Sequence, residues 1–275
     1  SGRKSGTLQQ GLAGYPRRRV TRRLSDGLPA RQPGLTGPRL PFSPVSGYTG
    51  TIMIAYIAPE NIDDRVLKRA AQLLSEGGLI ALPTDTSWVI TCALSSKQGI
   101  KKLRRLSGER DERHFTLLCN SISQIGDYCS MNNSQFRLIK KLTPGPYVFI
   151  LKALLGTEKA LDIRRKEVGV RIPAHPVSDK VIQELGEPLY SITAKRSMKS
   201  STEEEFWTNS ADQAQESETA ALPPIPEEEL FEGGWELEDI PGLDLILDTG
   251  EELPRLYSTV LDFTSGDVVL LRPGA

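Results

Sequence analysis

One candidate site follows a short apolar run in the first third of the chain. Residues 79–82 have the composition of a buried strand, and Pro83 closes it. Because α/β sheets bind ligands at the carboxyl ends of their strands, the next residues, Thr84, Asp85 and Thr86, are placed to bind the polar atoms of a substrate or a magnesium ion. An ordinary turn built on short polar side chains is the alternative interpretation.

A second candidate is a cluster of cations at the end of a basic helix, predicted over 97–106, and in the loop that enters the next strand. Guanidinium groups make bidentate contacts to phosphate oxygens, so a cationic loop can wrap a triphosphate. A solvated helix face would carry the same charges without binding a ligand. The cluster consists of Arg104, Arg105, Arg110, Arg113 and His114.

Arg171 is the third candidate, because it interrupts an apolar strand predicted over 168–172. An unpaired buried charge is costly, so its guanidinium must pair with an acid or face an anionic ligand. The neighbouring Val170 and Ile172 point to the other face of the sheet. A structural salt bridge and a ligand contact are both compatible with this pattern.

The fourth candidate lies at the end of a strand predicted over 189–193. Ser191, Thr193 and Lys195 bring two hydroxyls and an ammonium group to one strand end, where they can meet a nucleotide. A plain strand end with a surface lysine is the competing interpretation.

The common nucleotide-binding and hydrolase signatures are absent. The chain has no GxxxxGK[ST] loop, no GxGxxG after a strand, no HExxH and no GxSxG. Its three cysteines, Cys92, Cys119 and Cys129, form no CxxC pair, which argues against a disulfide scaffold and structural zinc and suits a reducing compartment. No run approaches the ~18 apolar residues that span a bilayer, so a membrane-embedded protein is excluded.

Alternating apolar strands and amphipathic helices must position these side chains. Asn61 is the predicted N-cap of a first helix that ends at Gly77, and Ser134 and Ser178 are predicted to begin two later helices. A short helix is predicted near 227–237. Strands are predicted over 54–57, 79–82, 88–92, 115–119, 147–151, 168–172, 189–193, 243–247, 258–263 and 268–271, the last two forming a hairpin. This order predicts one α/β domain with a mixed sheet.

Charge is unevenly distributed along the 275 residues, although the net charge is only −1. Residues 1–52 and 53–199 each carry a net charge of +8, whereas 200–239 carry −13 and 240–275 carry −4. A basic body favours a phosphate-bearing partner, although a solvated surface is the plainer explanation. The acidic stretch predicts a mobile loop or linker insert over about 200–226 that lies over the basic face as a charge-matched lid.

The first 52 residues are predicted to be a disordered basic extension, because nine glycines and six prolines interrupt any apolar period. The first methionine is Met53, directly before a predicted strand, which suggests that the biological chain begins there. A transit peptide would also be rich in arginine and poor in acids, but glycine and proline break the amphipathic helix that it needs. The folded domain is therefore predicted over 53–275.

Seven segments occur in an order that resembles the YrdC/YciO family of threonylcarbamoyl-AMP synthase-type proteins. The resemblance runs from Met53 to Gly274, apart from the acidic insert, and it is closest to the YciO branch through 114–119 and 133–151. The segments are PTDT, HFTLLC, FRLIKKLTPGPYVFIL, VGVRIPAHP, GEPLYSIT, DLILD and STVLDF.

The resemblance implies a RibB-like α/β domain, with a twisted mixed sheet, flanking helices and a concave basic face. For the catalytic branch it implies condensation of L-threonine, bicarbonate and ATP to threonylcarbamoyl-AMP and pyrophosphate, which serves the modification of an adenosine beside the tRNA anticodon. Magnesium is the implied cofactor and the cytoplasm the implied location. Some members bind double-stranded RNA or tRNA, so a non-catalytic RNA-binding module is the alternative function, and a regulatory nucleotide sensor is a third.

Position by position, the match to the family's motifs is partial. The PT[DE]T turn is intact at 83–86, where the resemblance implies that its hydroxyls line the threonine and nucleotide cavity, and Trp88 takes the place of the usual tyrosine. The KxR pair of the catalytic branch falls on Ser107 and Glu109, so both of its cations are lost. The four nearby arginines are the available replacements.

Three further motifs complete the implied site. His114 fits the family's HP-type position, and Arg171 and Pro173 fit its VRxP strand. The SAN nucleotide motif keeps a hydroxyl at Thr193 but has Lys195 in place of the amide. Arg171→Lys is expected to weaken ATP or threonine binding with little loss of thermal stability. The residues expected to carry catalysis are Arg171, Arg113 and His114, and those expected to bind substrate or nucleotide are Thr84, Asp85, Thr86, Trp88, Arg110, Pro173, Ser191, Thr193 and Lys195.

Overall fold

The computed structural model describes residues 52–108, 114–161, 163, 166–200, 221–265 and 267–275. Almost all of the predicted basic extension and residues 201–220 of the predicted insert lie outside these ranges. The helices are α1 Asp64–Ser75, α2 Lys97–Ser107, α3 Ile122–Tyr128, α4 Asn133–Leu142, α5 Leu155–Leu161 and α6 Pro176–Leu185. The strands are β1 Met53–Tyr56, β2 Ile80–Pro83, β3 Trp88–Ala93, β4 Thr116–Leu118, β5 Cys129–Ser130, β6 Tyr147–Ala153, β7 Glu167–Arg171, β8 Leu189–Thr193, β9 Leu245–Asp248, β10 Thr259–Asp262 and β11 Val269–Arg272.

The strands form one mixed sheet, which confirms the predicted α/β class. Their order is β1-β9-β2-β3-β8-β4-β7-β6-β10-β11, and β5 pairs with the carboxyl end of β6. Parallel pairs join β1 to β9, β9 to β2, β4 to β7 and β6 to β10, and the other neighbours are antiparallel. The predicted terminal hairpin is the pair β10–β11 at one edge of the sheet.

Helices cover both faces of the sheet. Successive side chains of a strand point to opposite faces, so each face has its own apolar cluster for the helices to cover. On one face α1 and α6 bury Leu74 and Val181 against strand residues such as Leu82. On the other face α2 buries Leu103 in a larger apolar cluster that includes Phe149 of β6. The two clusters fix which face each strand residue occupies, and this decides which polar side chains can meet.

Two predicted N-caps are wrong by two residues. Asp63 caps α1 in place of Asn61, whose N–H bonds to the Ala58 carbonyl oxygen in a preceding turn at 3.1 Å. Asn132 caps α4 in place of Ser134; its side chain accepts two helix N–H groups at 2.9 Å, and a capping box completes the start of the helix. All four residues are good capping types, so the sequence alone did not distinguish between them.

The segment after the acidic insert differs from the predicted helix near 227–237. It consists of two short 3₁₀ turns, Glu227–Glu229 and Gly234–Leu237. Gly234 lets the second turn approach the end of β9, because a Cβ atom at this position would lie 2.6 Å from Cγ of Asp248. Two short helices, α3 and α5, and the two-residue strand β5 had no sequence prediction.

Candidate functional site

The register of the sheet places two arginines in one row across five neighbouring strands. Leu118 is opposite Arg171, and Val148 is opposite Val260, which in turn is opposite Arg272. The β6–β7 register brings Arg171 next to Val148. Side chains that are paired in this way share one face of the sheet. The backbones at the two arginines are therefore about 14 Å apart, which is three strand spacings.

A cavity lies on this face of the sheet. Among the residues that line it, Arg171, Lys195 and Arg272 carry fixed positive charges, and no acidic side chain in the described part of the chain joins them. A concave site lined by charge of one sign attracts ligands of the opposite sign. The lining residues are Val89, His114, Thr116, Leu118, Val148, Arg171, Ser191, Ile192, Thr193, Lys195, Ile225, Ser258, Val260 and Arg272.

Arg171 is 4% exposed and donates to four groups from three segments of the chain. Its Nη2 forms an ion pair with Asp85 at 2.6 Å, its Nη1 donates to Thr86 Oγ1 at 3.0 Å and to Ser258 Oγ at 2.6 Å, and its Nε donates to the Gly145 carbonyl oxygen at 3.2 Å. Burial lowers the pKa of Arg171, and Asp85 acts in the opposite direction. The ion pair is the structural alternative that the sequence left open. Together, the four hydrogen bonds leave one of the five N–H groups of Arg171 for a ligand.

The turn after β2 is stabilised by its own threonines and does not line the cavity. Thr84 is fully buried and Thr86 is 1% exposed, with their hydroxyl oxygens 3.2 Å apart. Thr84 Oγ1 donates to the Ser87 carbonyl oxygen at 2.7 Å and accepts two N–H groups of the turn at 3.2 Å. Asp85 faces Arg171, and Trp88 is fully buried. The turn therefore does not contact the cavity directly, and it holds the lining residue Arg171 in place through Asp85 and Thr86.

Arg272 is a lining residue that the sequence analysis missed. It is 7% exposed, its Nε and Nη2 donate to the Ser258 carbonyl oxygen at 3.3 and 3.2 Å, and its guanidinium lies 5.1 Å from the centroid of the Tyr257 ring. No carboxylate among the described residues pairs with it. Burial lowers the pKa of Arg272. A buried cation with only neutral partners favours the binding of an anion.

Comparison with known proteins identifies the family. A family model named Sua5_yciO_yrdC, with the description "Telomere recombination", matches residues 72–214, slightly more than half of the chain. The chain belongs to the Sua5/YciO/YrdC family. This membership confirms the resemblance found in the order of the sequence segments.

Two kinds of curated relatives share this family. The uncharacterized protein YciO of Escherichia coli K12 is 35% identical over 140 residues, which are 50% of this chain and 66% of that protein. The chain thus matches slightly less than two thirds of the length of this relative. The threonylcarbamoyl-AMP synthase of Homo sapiens is 26% identical over 254 residues, which are 90% of this chain and 79% of that enzyme.

Solved structures of the Sua5/YciO/YrdC family share the fold. The crystal structure of E. coli YciO superposes with a TM-score of 0.64 and 28% identity, covering 82% of this chain and 96% of that chain. P. abyssi Sua5 complexed with L-threonine superposes with a TM-score of 0.63 and 23% identity, covering 81% of this chain and 57% of that chain. These superpositions confirm the predicted fold class.

Within the described ranges, no helix is both long and apolar enough to cross a membrane.

The structure brings together five of the residues that the family resemblance selected. They all line the cavity, from the loop before β4, from β7, and from the end of β8. Pro173 is buried but does not line it. Arg110 and Arg113 lie outside the described residues. The five residues in the cavity are His114, Arg171, Ser191, Thr193 and Lys195.

The position of the family's first KxR cation offers no charge in this chain. Ser107 ends α2, and its hydroxyl donates to the Arg104 carbonyl oxygen at 2.9 Å. The Arg104 side chain does not replace the lost cation, because its Nη2 donates to the Leu161 carbonyl oxygen of α5 at 2.8 Å and its guanidinium lies 6.0 Å from the Tyr190 ring centroid. Glu109, the second KxR position, lies outside the described residues.

The described residues do not fit a dedicated metal site. They contain no group of three histidine, cysteine or acidic side chains that could hold a metal ion. Asp85, the carboxylate of the PTDT turn, is engaged by Arg171 and by the Ala174 N–H at 3.1 Å.

All three cysteines are buried, and burial raises the pKa of their thiols, that of Cys129 to about 12. The thiols are therefore protonated and suit packing better than catalysis.

His175 is the N-cap of α6, which begins at Pro176, two residues before the predicted start at Ser178. Its Nδ1 accepts the Val177 N–H at 3.3 Å. Burial lowers the pKa of His175, and Asp85 and Glu251 act in the opposite direction. Protonation would remove the accepting lone pair and charge a half-buried group. The folded-state pKa of His175 lies below the unfolded value of about 6.5. The stability that the neutral His175 cap contributes is therefore complete above pH 6.5 and is lost as the pH falls through the folded-state pKa.

His175→Asn is expected to flatten this pH dependence, because asparagine caps helices well but does not titrate in this range. Melting temperatures of both proteins at about pH 7.5, 6.5 and 5.5 provide the measurement. The wild type is expected to lose more stability than the variant at the lower pH values. Parallel curves for the two proteins would show that the His175 cap does not respond to pH.

Proposed function

We propose that the chain binds ATP in this cavity and condenses it with L-threonine and bicarbonate to threonylcarbamoyl-AMP and pyrophosphate, for the modification of an adenosine in tRNA. The cavity itself carries the proposal, because Arg272 and Lys195 line it beside the ion-paired Arg171, and no acidic side chain among the described residues does. ATP has several negative charges and suits such a site. Relatives named threonylcarbamoyl-AMP synthase, one of which aligns with 90% of the chain, support the choice of reaction.

The reaction requires two bond-forming steps. The amine of threonine attacks the carbon of bicarbonate, and loss of water gives a carbamate. A carbamate oxygen then attacks the α-phosphorus of ATP, the bond from that phosphorus to the bridging oxygen breaks, and pyrophosphate leaves. No covalent intermediate with the protein is needed, so the protein contributes positioning and neutralisation of charge.

The cavity residues divide between ligand contacts and support. Arg272 is the best candidate for a phosphate contact, because its guanidinium is buried without an acidic partner among the described residues. Ser191, Thr193 and Lys195 offer polar groups from β8 and the loop after it. Arg171 supports the cavity wall through its ion pair with Asp85. Catalytic roles for His114, Arg110 and Arg113 remain predictions from the sequence.

Magnesium and the cellular location follow from the substrates in this proposal. Mg²⁺ keeps several waters and commonly binds through substrate phosphates, so we propose that it enters as the ATP complex and needs no cage of protein ligands. A role in tRNA modification is consistent with a cytoplasmic protein. Threonine and bicarbonate complete the proposed set of small-molecule partners.

Pyrophosphate release tests the proposed reaction. The protein is incubated with ATP and Mg²⁺, with or without threonine and bicarbonate. Pyrophosphate is expected only when both co-substrates are present, together with a product that has the mass of threonylcarbamoyl-AMP. Release that does not depend on threonine would contradict the proposed amino-acid substrate. Absence of release in the complete mixture would contradict catalysis.

A non-catalytic module that binds double-stranded RNA or tRNA is the second candidate, and the loss of charge at Ser107 favours it. The exposed Lys97 and Lys101 of α2 provide basic surface. A-form RNA is recognised mainly through its shape and phosphates, so no sequence motif is needed. Tight binding of an RNA duplex without ATP, combined with no pyrophosphate release, would favour this function over the first.

A further inference from the structure

Residues 221–226, with the sequence ALPPIP, form a strap over the cavity. Pro226 has φ −58° and ψ 142°, which is polyproline II geometry. Leu222 and Ile225 are three residues apart, which is the length of one polyproline II turn. Leu222 is 4% exposed and Ile225 lines the cavity, whereas the two prolines between them are exposed.

One end of the strap is anchored to the sheet by apolar contacts. Leu222 packs in a cluster with Val148, Ile150 and Val260. Its N–H also bonds to the Leu271 carbonyl oxygen of the edge strand β11 at 3.1 Å. The insert was predicted to lie over the basic face through its charge, but the described part of it is held here by apolar side chains and a backbone bond.

The other end of the strap is fixed on the opposite side of the cavity. Glu227, the next residue, pairs with Arg255 at 2.8 Å. Glu229 accepts the N–H of Ser197 at 3.1 Å, two residues after Lys195, which lines the cavity. The strap therefore extends from the β11 edge of the sheet towards the loop that follows β8.

The strap covers surface that lines the cavity. Val148 and Val260 hold Leu222, and both also line the cavity. The cavity measures about 40 Å³, which is room for about three water molecules. An ATP molecule is many times larger, so in this cavity it would need surface that Ile225 and Leu222 cover.

We propose that residues 221–226 are an autoinhibitory plug, whose Leu222 and Ile225 side chains exclude ATP from the cavity until the strap is displaced. This regulation rests on the proposed function, because it concerns the same nucleotide site. A strap that is seated in nine molecules of ten lowers the apparent affinity for ATP about tenfold. Release of the strap removes this loss without any new contact to the ligand.

Ile225→Ser tests the competition directly. The variant removes the apolar side chain from the cavity and is expected to bind ATP about tenfold more tightly than the wild type in a calorimetric titration. Leu155→Ser is the matched control, because Leu155 is 65% exposed on α5 and does not line the cavity. The control is expected to bind ATP like the wild type.

Thiol labelling tests the position of the strap without any activity measurement. The three native cysteines are buried, so a cysteine introduced on the strap provides the accessible thiol. Ile225→Cys is expected to react with a maleimide several-fold more slowly than Pro223→Cys, and ATP is expected to accelerate the reaction at position 225. The rate at position 223 is expected to stay unchanged.

Three results would overturn the proposal in different ways. Equal labelling rates at 223 and 225 without ATP would show that the strap is not seated. Weaker ATP binding by Ile225→Ser, or slower labelling at 225 with ATP, would show that the strap closes over the ligand and does not compete with it. Absence of ATP binding in both the wild type and Ile225→Ser would contradict the proposed function, and with it the competition, even where the labelling contrast is present.

Discussion

Replacement of Arg171 by methionine is expected to lower the melting temperature by roughly 6–20 °C. The change leaves the partly buried Asp85 without its ionic partner and removes four hydrogen bonds that join β7 to three other segments. Breaking a buried ion pair costs about 3–5 kcal/mol, and in a domain of this size each kcal/mol changes the melting temperature by roughly 2–4 °C. This expectation replaces the small stability effect that the sequence favoured.

Thermal unfolding of matched variants tests the role of Arg171. Arg65→Met is the control, because Arg65 is exposed on α1 and no hydrogen bond or ion pair of its side chain occurs among the described residues. Arg171→Lys keeps the charge beside Asp85 but loses the planar fork, so an intermediate loss of stability is expected. An unchanged melting temperature with weaker ATP binding would return Arg171 to a ligand-contacting role.

Periodic elements were predictable from the sequence, but their ends were not. The helix predicted over 97–106 is α2, because Ile100, Leu103 and Leu106 repeat at helical spacing and all three are buried. The helix α5 escaped prediction because its seven residues are too few for such a repeat. The choice between Asp63 and Asn61 as a cap depended on a preceding turn that has no periodic signal.

The motifs of the site were recognisable, but the environment of each side chain was not. The PTDT turn was found because it follows a buried strand, yet the sequence could not show that Thr84 and Thr86 are buried and satisfied within the turn. Arg171 was selected as a charge within an apolar strand. The same pattern at Arg272 follows the run 268–271 and was overlooked, although it was the one signal that could have found this residue.

Long-range pairing explains why the two arginines differ. Both lie in one row on the same face of the sheet. The Arg171 side chain on β7 lies beside the turn that supplies Asp85, whereas the Arg272 side chain on the edge strand β11 contacts, among the described residues, the Ser258 carbonyl oxygen and the Tyr257 ring. One guanidinium is thus neutralised within the protein and the other is not. No local sequence pattern contains this difference, because it depends on the order of strands in the sheet.

Arg272→Met is therefore expected to weaken ATP binding roughly 10- to 150-fold. This range corresponds to the 1.5–3 kcal/mol that a hydrogen bond to a charged group contributes. The melting temperature is expected to change by no more than about 4 °C, since two weak bonds to one carbonyl oxygen are lost while the cost of burying a cation is removed. The same substitution in the same row of the sheet thus has opposite consequences at Arg171 and Arg272.

Calorimetric titration with ATP and thermal unfolding of the same Arg272→Met sample separate these roles. Inorganic pyrophosphate serves as a second ligand, because it carries the phosphate charge without the nucleoside, and its binding is expected to weaken with that of ATP. A large fall in melting temperature would show that Arg272 is structural. Unchanged affinity for both ligands would place the anion elsewhere in the cavity and would show that Arg272 has no role in binding. The wild-type guanidinium would then be buried at a cost that no ligand offsets.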